Sequence, residues 1–319
     1  VVSGPPIRRV GVVGAGALGL PLAAVTAAAG FEVRVHDRDP DRVAAATRRG
    51  LASAATLGAL ADWADCVITV LPSAADLAGV VGGADVPGDS LTGARRPGLL
   101  VVDVGSGAPV GTRELAVTLA GAGHHLVDAP VSGSPQRAEE ATLVAMIGGD
   151  EGAADAAETV LAASCPTRLR LGGPGAGHAA KVVNNLLAAT HLAATVEALL
   201  LARAAGYDPA AMLTAVNELT GASYASQVKL PRFVLPGSYD SGFPVRALTE
   251  DLDNGAGLFG LLDRPPLVSG AARQLWSEAA ADLGGGADHT AVAAWLETRH
   301  GLRLTDRVEP APHPAGVTP

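Results

Sequence analysis

VGVVGAGALG, from Val10 to Gly19, opens with the β-branched residues Val10, Val12 and Val13 and passes directly into a Gly-x-Gly-x-x-Gly turn made of Gly14, Ala15, Gly16, Ala17, Leu18 and Gly19. An alanine-rich stretch, 20–29, comes next with helical composition, and 31–35 alternates as a second strand that leads to Asp37 and Arg38. Strand, glycine turn, helix and strand in about 30 residues, with an acid about 20 residues beyond the glycines, form one βαβ unit. Each glycine has its own task. Gly14 permits the tight turn, Gly16 lets backbone approach a pyrophosphate, and Gly19 lets helix pack on strand. The helix start then offers free amides and the positive end of its dipole to a diphosphate. A dinucleotide site is therefore expected here, with the Asp37 carboxylate placed to accept ribose hydroxyls.

The same run, uncharged from Val10 to Phe31 and preceded by Arg8 and Arg9, also has the length of a membrane span or a signal segment. Five glycines and Pro21 within it argue for the globular reading. Composition agrees: 319 residues, 48% hydrophobic and 17% charged, provide a core large enough for two domains and exclude wholesale disorder. A net charge of −9 lacks the basic surplus that nucleic acid binding uses, so neither nucleic acid nor membrane is an expected partner. Cys66 and Cys165 are too few for a disulfide framework or a metal-ligand cluster, which fits a cytoplasmic protein.

Further strands are expected at 66–71, 99–104, 125–128 and 143–147, with helical stretches between several of them. This is the pattern of a Rossmann-type, doubly wound parallel sheet, ending near Leu171. After the glycine-rich hinge 172–177 the composition becomes helical, and 181–205 reads as one long helix with so few charges that most of its circumference should be buried. Pro209, Pro231, Pro236, Pro244, Pro265 and Pro266 divide the remainder of the chain into shorter helices. The expected organisation is a dinucleotide-binding domain at 1–174, an all-α domain for substrate and oligomerisation at 175–305, and a disordered proline-rich tail at 306–319. The long apolar helix suggests a homodimer or a larger homo-oligomer.

Four segments stand in a recognisable order: GAGALG from Gly14, DAPVSGSPQRAEEATLVAMIGG from Asp128, GPGAGHAAKVVNN from Gly173, and FPVRALTEDLDNG from Phe243. With these the chain resembles the β-hydroxyacid dehydrogenase family, which includes 3-hydroxyisobutyrate dehydrogenase and tartronate semialdehyde reductase, with 6-phosphogluconate dehydrogenase as a larger relative. The resemblance implies an oxidoreductase that transfers hydride between NAD or NADP and a small 3-hydroxy acid or its aldehyde or keto form. It makes Lys181 the general acid/base, and the chemistry agrees: alcohol oxidation requires a group that takes the hydroxyl proton, and arginine could not replace a lysine there because guanidinium stays protonated. Of the 23 cationic residues 21 are arginine, and the only other lysine, Lys229, has no comparable sequence context.

Asn185, four residues on from Lys181, shares its helical face and can hold the substrate oxygen. Asn184 points elsewhere, and His178 is expected to support the site rather than act as the base. The resemblance places Ser132, Gly133 and Ser134 in the substrate-binding loop, and Leu71, Pro72 and Ser106 on the cofactor side. Three departures stand out. Ser134 replaces a glycine and would set a Cβ and a hydroxyl against the ligand. Ala141 also replaces a glycine. Glu250 occupies the place of a lysine that lies near the cofactor, so either it turns to solvent or it selects a substrate with a cationic or hydroxyl-rich end. NAD is expected to be preferred, because Asp37 would repel a 2′-phosphate even though Arg38 could attract one. Two alternatives remain open on the residues alone: an imine reductase on the same scaffold, and a non-catalytic dinucleotide-binding sensor.

Overall fold

The computed structural model describes residues 6–82 and 89–305, so the tail expected to be disordered lies outside the described residues. The first strand, β1 (Arg9–Val13), runs through the glycine turn into helix α1 (Gly19–Ala28), and β2 (Glu32–His36) comes after it. The uncharged N-terminal run is thus a short strand and a ten-residue helix, too short to span a bilayer. Next come α2 (Pro40–Arg48), β3 (Ala52–Ser53), α3 (Leu57–Trp63), β4 (Cys66–Thr69), α4 (Ala74–Gly82), β5 (Leu100–Asp103), α5 (Pro109–Gly121) and β6 (His125–Asp128). The strands are ordered β3-β2-β1-β4-β5-β6, and every pairing among them is parallel.

Both faces of this sheet are apolar because its strands are apolar at successive positions. Val10, Val12, Ile68 and Val102 enter one core cluster, while Val13, Val67 and Val101 enter a second on the opposite face. Beyond β6 the doubly wound parallel sheet departs locally from the parallel arrangement. The short β7 (Val131–Ser132), then helix α6 (Pro135–Glu139), lead to β8 (Val144–Gly148), which runs antiparallel to both β6 and β7. The connection through 129–143 is occupied by β7, which pairs antiparallel with β8, and by the five-residue α6, so the chain turns back beside β7 instead of crossing the sheet. Helix α7 (Glu151–Leu161) then restores a parallel pairing between β8 and β9 (Thr167–Gly172).

In the turn before β8, Ala141 has φ +54°, the left-handed region that disfavours a Cβ. Ala141→Gly is therefore expected to raise the unfolding free energy by about 1 kcal/mol, after allowing for glycine's greater freedom in the unfolded chain. An unchanged or lower urea midpoint would show that this turn holds no strain.

Helix α8 (Ala176–Ala204) is next, then α9 (Pro209–Glu218), a π-helix (Ala225–Val234), α10 (Val245–Asn254), α11 (Ala256–Phe259), α12 (Leu267–Leu283), a 3₁₀ turn (His289–Ala291) and α13 (Val292–His300). Pro231 lies inside the π-helix, where the missing N–H is accommodated by wider winding: Leu235 N–H donates to Leu230 O, five residues back. Two compact units result, one of residues up to Val183 with Asn254–Leu261, the other of Asn184–Asp253 with the residues from Leu262 onward. The core of the second unit gathers Leu192, Val196 and Leu199 of α8 around Trp276, whose indole donates to Ala189 O at 3.1 Å.

The expected burial of most of α8 is not met in the single chain. One stripe, including Val182, Asn185, Ala189, Leu192 and Val196, is buried, while Val183, Leu187 and Leu201 on the other side are exposed. Low charge content does not distinguish a helix packed all round from one packed on a single face.

Candidate active site

Val13, His36, Thr69 and Asp103 are register partners, so the carboxyl ends of β2, β1, β4 and β5 form one line. The glycine turn starts directly after β1, and Asp37 with Arg38, Leu71 with Pro72, and Ser106 come within three residues of the ends of their strands. The chain leaves β1 toward β2 on one side and later returns to β4 on the other, and that switch point is where open α/β sheets hold their ligands. The glycine turn, Asp37, Arg38, Leu71, Pro72 and Ser106 thus gather along the carboxyl-end edge of the sheet.

Sterics account for the glycines. A Cβ on Gly14, at φ +96°, would lie 2.3 Å from Val70 O, and one on Gly19 would lie 1.9 Å from Gly14 O. Gly16 instead borders open room, with Arg42 Nη1 3.6 Å from the place of a Cβ. Helix α1 starts without a side-chain cap, and in its first turn Leu20 N and Leu22 N donate to Gly16 O and Leu18 O while Pro21 has no N–H, so an anion would meet the glycine turn that leads into the helix. These features fit the pyrophosphate of a dinucleotide.

Asp37 is nearly buried. Its Oδ2 accepts from Ala15 N at 2.7 Å and its Oδ1 from Asp39 N at 2.9 Å, so the carboxylate also fastens the glycine turn. Sequence reasoning passed over Arg42, which lies 3.6 Å from Asp37 Oδ2 and 3.5 Å from Asp39 Oδ2. Its only signal is its position in the first turn of the helix that comes after Asp37. Arg38 is largely exposed, 3.7 Å from Asp76 Oδ1.

On the other side, Ser132 ends β7 and is half-buried. Gly133, at φ +145°, could not carry a Cβ, which would lie 2.6 Å from Leu143 Cδ2. The Ser134 hydroxyl oxygen caps α6 by accepting from Arg137 N at 3.4 Å, a local role that the sequence did not indicate. Lys181, half-buried on α8, donates from Nζ to Val131 O at 3.0 Å, next to Ser132. Asn185 lies one turn further along the same helix and is buried. Its Nδ2 donates to Asp251 Oδ2 and its Oδ1 accepts from Asn184 Nδ2 at 3.0 Å. Asp251, itself buried, lies in the fourth motif but has no role that its sequence position indicates.

His178 is fully buried. Its Nδ1 lies 2.7 Å from Thr112 Oγ1, and its Nε2 lies 3.2 Å from Asp103 Oδ2 and 3.3 Å from Gly105 O. Burial alone would lower the imidazole pKa, but hydrogen bonding and charge from Asp103, with further charge from Asp128, raise it. Burial pushes the Asp128 carboxyl up, against the pull of His178 and of backbone amides.

Glu250 is half exposed and pairs with Arg246 one turn earlier on α10, at 3.8 Å. The Glu250 carboxylate thus turns to solvent. Lys229 has more context than its sequence showed. It lies on the π-helix, 5.4 Å from the centroid of Phe233, and burial lowers its pKa against the charge of Asp288.

Residues 9–172 match the family described as the NAD binding domain of 6-phosphogluconate dehydrogenase, and residues 175–296 match that described as NAD-binding of NADP-dependent 3-hydroxyisobutyrate dehydrogenase. The chain belongs to the β-hydroxyacid dehydrogenase family. Among its curated relatives is the L-threonate dehydrogenase of Cupriavidus necator, 32% identical over 95% of this chain and 99% of that protein. Another is the 2-(hydroxymethyl)glutarate dehydrogenase of Eubacterium barkeri, 33% identical over 76% of this chain and 80% of that protein. The structure of Mycobacterium tuberculosis 3-hydroxyisobutyrate dehydrogenase with L-serine superposes with a TM-score of 0.83 at 28% identity, covering 91% of this chain and 99% of that one. This β-hydroxyacid dehydrogenase is accordingly an NAD(P)-dependent oxidoreductase, with a Rossmann-like sheet followed by a mostly helical domain.

Proposed function

We propose that this enzyme oxidises a small 3-hydroxy acid, or reduces the matching aldehyde or keto form, with Lys181 as general acid/base. The observation that carries the reading is the place of Lys181: a half-buried amine on α8 whose Nζ reaches the backbone carbonyl immediately before Ser132. The glycine turn and the residues after β2, β4 and β5 would hold NAD(P), which would supply the hydride acceptor or donor. Lys181 takes the hydroxyl proton during oxidation and returns it during reduction. Asn185, aligned by Asp251, orients the substrate oxygen, while Ser132 with the backbone of Gly133 binds the acid group. The relatives named for L-threonate and 2-(hydroxymethyl)glutarate support a hydroxylated acid as substrate. A turnover panel of hydroxy acids and cyclic imines with both nucleotides, read by cofactor absorbance, tests the class. Turnover of imines alone would refute it.

NAD is the proposed preference. Asp37 places a carboxylate at the end of β2, and the nearby cations are engaged, Arg42 with Asp37 and Asp39, and Arg38 with Asp76. A kcat/KM for NADP about tenfold above that for NAD, equivalent to about 1.4 kcal/mol, would overturn this assignment. Arg42→Ala is expected to weaken whatever NADP binding exists more than NAD binding.

Glu250→Lys is expected to tighten cofactor binding by restoring a cation where the family has one, and the native substrate is proposed not to be a simple monocarboxylate. Nucleotide titration of both forms checks the first point. Efficient wild-type turnover of 3-hydroxyisobutyrate would refute the second. The exposed side of α8 supports a homodimer or a larger homo-oligomer, to be measured by light scattering.

A further inference from the structure

Asp103 and Asp128 stand side by side in register at the ends of β5 and β6, 2% and 0% exposed. Two buried carboxylates on neighbouring strands repel unless a cation or a proton intervenes. His178 is the group that meets both, with Nε2 3.2 Å from Asp103 Oδ2 and Nδ1 3.9 Å from Asp128 Oδ2.

The hydrogen-bond inventory indicates the charge of the ring. Thr112 has a single hydroxyl proton, which it donates to Ala108 O at 3.0 Å, so toward His178 Nδ1, at 2.7 Å, its oxygen accepts. The Nε2 partners, Asp103 Oδ2 and Gly105 O, can only accept. Both ring nitrogens therefore carry hydrogen. Turning the Thr112 hydroxyl toward the ring would permit a neutral imidazole, but it would leave two buried carboxylates without a counter-charge. The direction of the His178 pKa, upward, agrees with the charged ring.

Asp103 Oδ1 accepts from Thr69 Oγ1 at 2.7 Å and from Gly105 N at 3.4 Å, and the further bonds of Asp128 go to the start of α8. Asp128 accepts from Gly175 N at 2.7 Å and from His178 N at 2.8 Å. Packing leaves no slack: a Cβ on Gly107 would lie 2.7 Å from the His178 ring, and one on Gly177 would lie 2.2 Å from Met146 O. Lys181 comes three residues after His178, about one turn along the helix.

We propose that His178 is a permanently charged clasp between Asp103 and Asp128 and a positioning residue for the reaction, because it seats the first turns of α8, and with them Lys181, against the segment that carries Ser132. The second half of this proposal rests on Lys181 being the acid/base. The first half does not.

Nitrogen-15 NMR of histidine-labelled full-length enzyme tests the charge. One ring should keep the imidazolium signature of both nitrogens to about pH 8 or above, well past the ordinary histidine range near 6.5, and that signal should be missing in His178→Gln. A His178 ring that loses its proton between about pH 6 and 7 overturns the clasp. Should His178→Gln fail to fold, Asp103→Asn serves instead: it should move the loss of that proton to lower pH, and an unmoved titration counts against the proposal. For the positioning role, His178→Gln should lower kcat about tenfold or more while KM changes little. Nearly full turnover by that variant would overturn the role. If Lys181→Ala remains active while the His178 ring keeps its charge, the acid/base reading fails and the clasp stands.

Discussion

Lys181→Ala and Lys181→Arg are both expected to lower kcat by at least about a hundredfold, the usual loss when a general acid/base is removed, with nucleotide affinity little changed. The arginine variant is the more informative. It keeps the positive charge and can still donate to a carbonyl such as Val131 O, so the hydrogen bond now made by Lys181 has a substitute. A guanidinium cannot release its proton near neutral pH, however, so the substrate hydroxyl has no acceptor. If the lysine only holds its helix in place, Lys181→Arg should work well and Lys181→Ala should lose stability instead of turnover. Steady-state rates together with fluorescence titration of the nucleotide separate these cases. More than about a tenth of the wild-type kcat in the arginine variant would remove Lys181 from proton transfer. Asn185→Ala should be milder and act partly through KM, since it takes a donor from the carboxylate of Asp251 as well as removing an amide.

Gly19→Ala is expected to abolish nucleotide binding at millimolar concentrations or to prevent the first unit from folding. The added methyl would lie 1.9 Å from Gly14 O, far inside van der Waals contact and against backbone that cannot rotate away. Relief requires α1 to move off β1, which opens the turn that offers its amides to the pyrophosphate and disturbs Leu22 and Ala23 in the core. Gly16→Ala is the matched control, because its Cβ would meet only the end of the Arg42 side chain, at 3.6 Å. It should fold, and any loss of affinity should come from the nucleotide itself. Thermal denaturation with and without nucleotide reads both variants. Normal binding by Gly19→Ala would show that the helix start tolerates a shift.

Much of the candidate site could be read from the chain because its logic is local. The strand–turn–helix around Gly14, the alternation that leads to Asp37, and the four-residue spacing of Lys181 and Asn185 depend on sterics and periodicity within a few residues. The family motifs added the roles of Ser132 and Lys181, which no periodicity states. Expectation failed where several structures satisfy the same local pattern. The antiparallel β8 has the apolar composition of any buried strand, and its direction is set by its pairing with β7 in the segment before it. Ser134 could face a ligand or a helix start, and the neighbouring amide of Arg137 takes its oxygen.

The partnerships that align and charge the site required the folded chain. Asn185 meets Asp251 across 66 residues, His178 meets Gly105 across 73, and the turn that carries Gly16 meets Arg42 only after α2 is packed. A short-range pattern specifies how a segment bends and which face it buries. Which distant polar groups coincide depends on the register of neighbouring strand ends, and buried charges hold their ionisation only through those neighbours. The glycine turn, the helix that bears Lys181 and the order of domains are therefore legible in the residues, whereas the Asp103–His178–Asp128 cluster exists only once β5 and β6 lie in line and α8 closes over their ends.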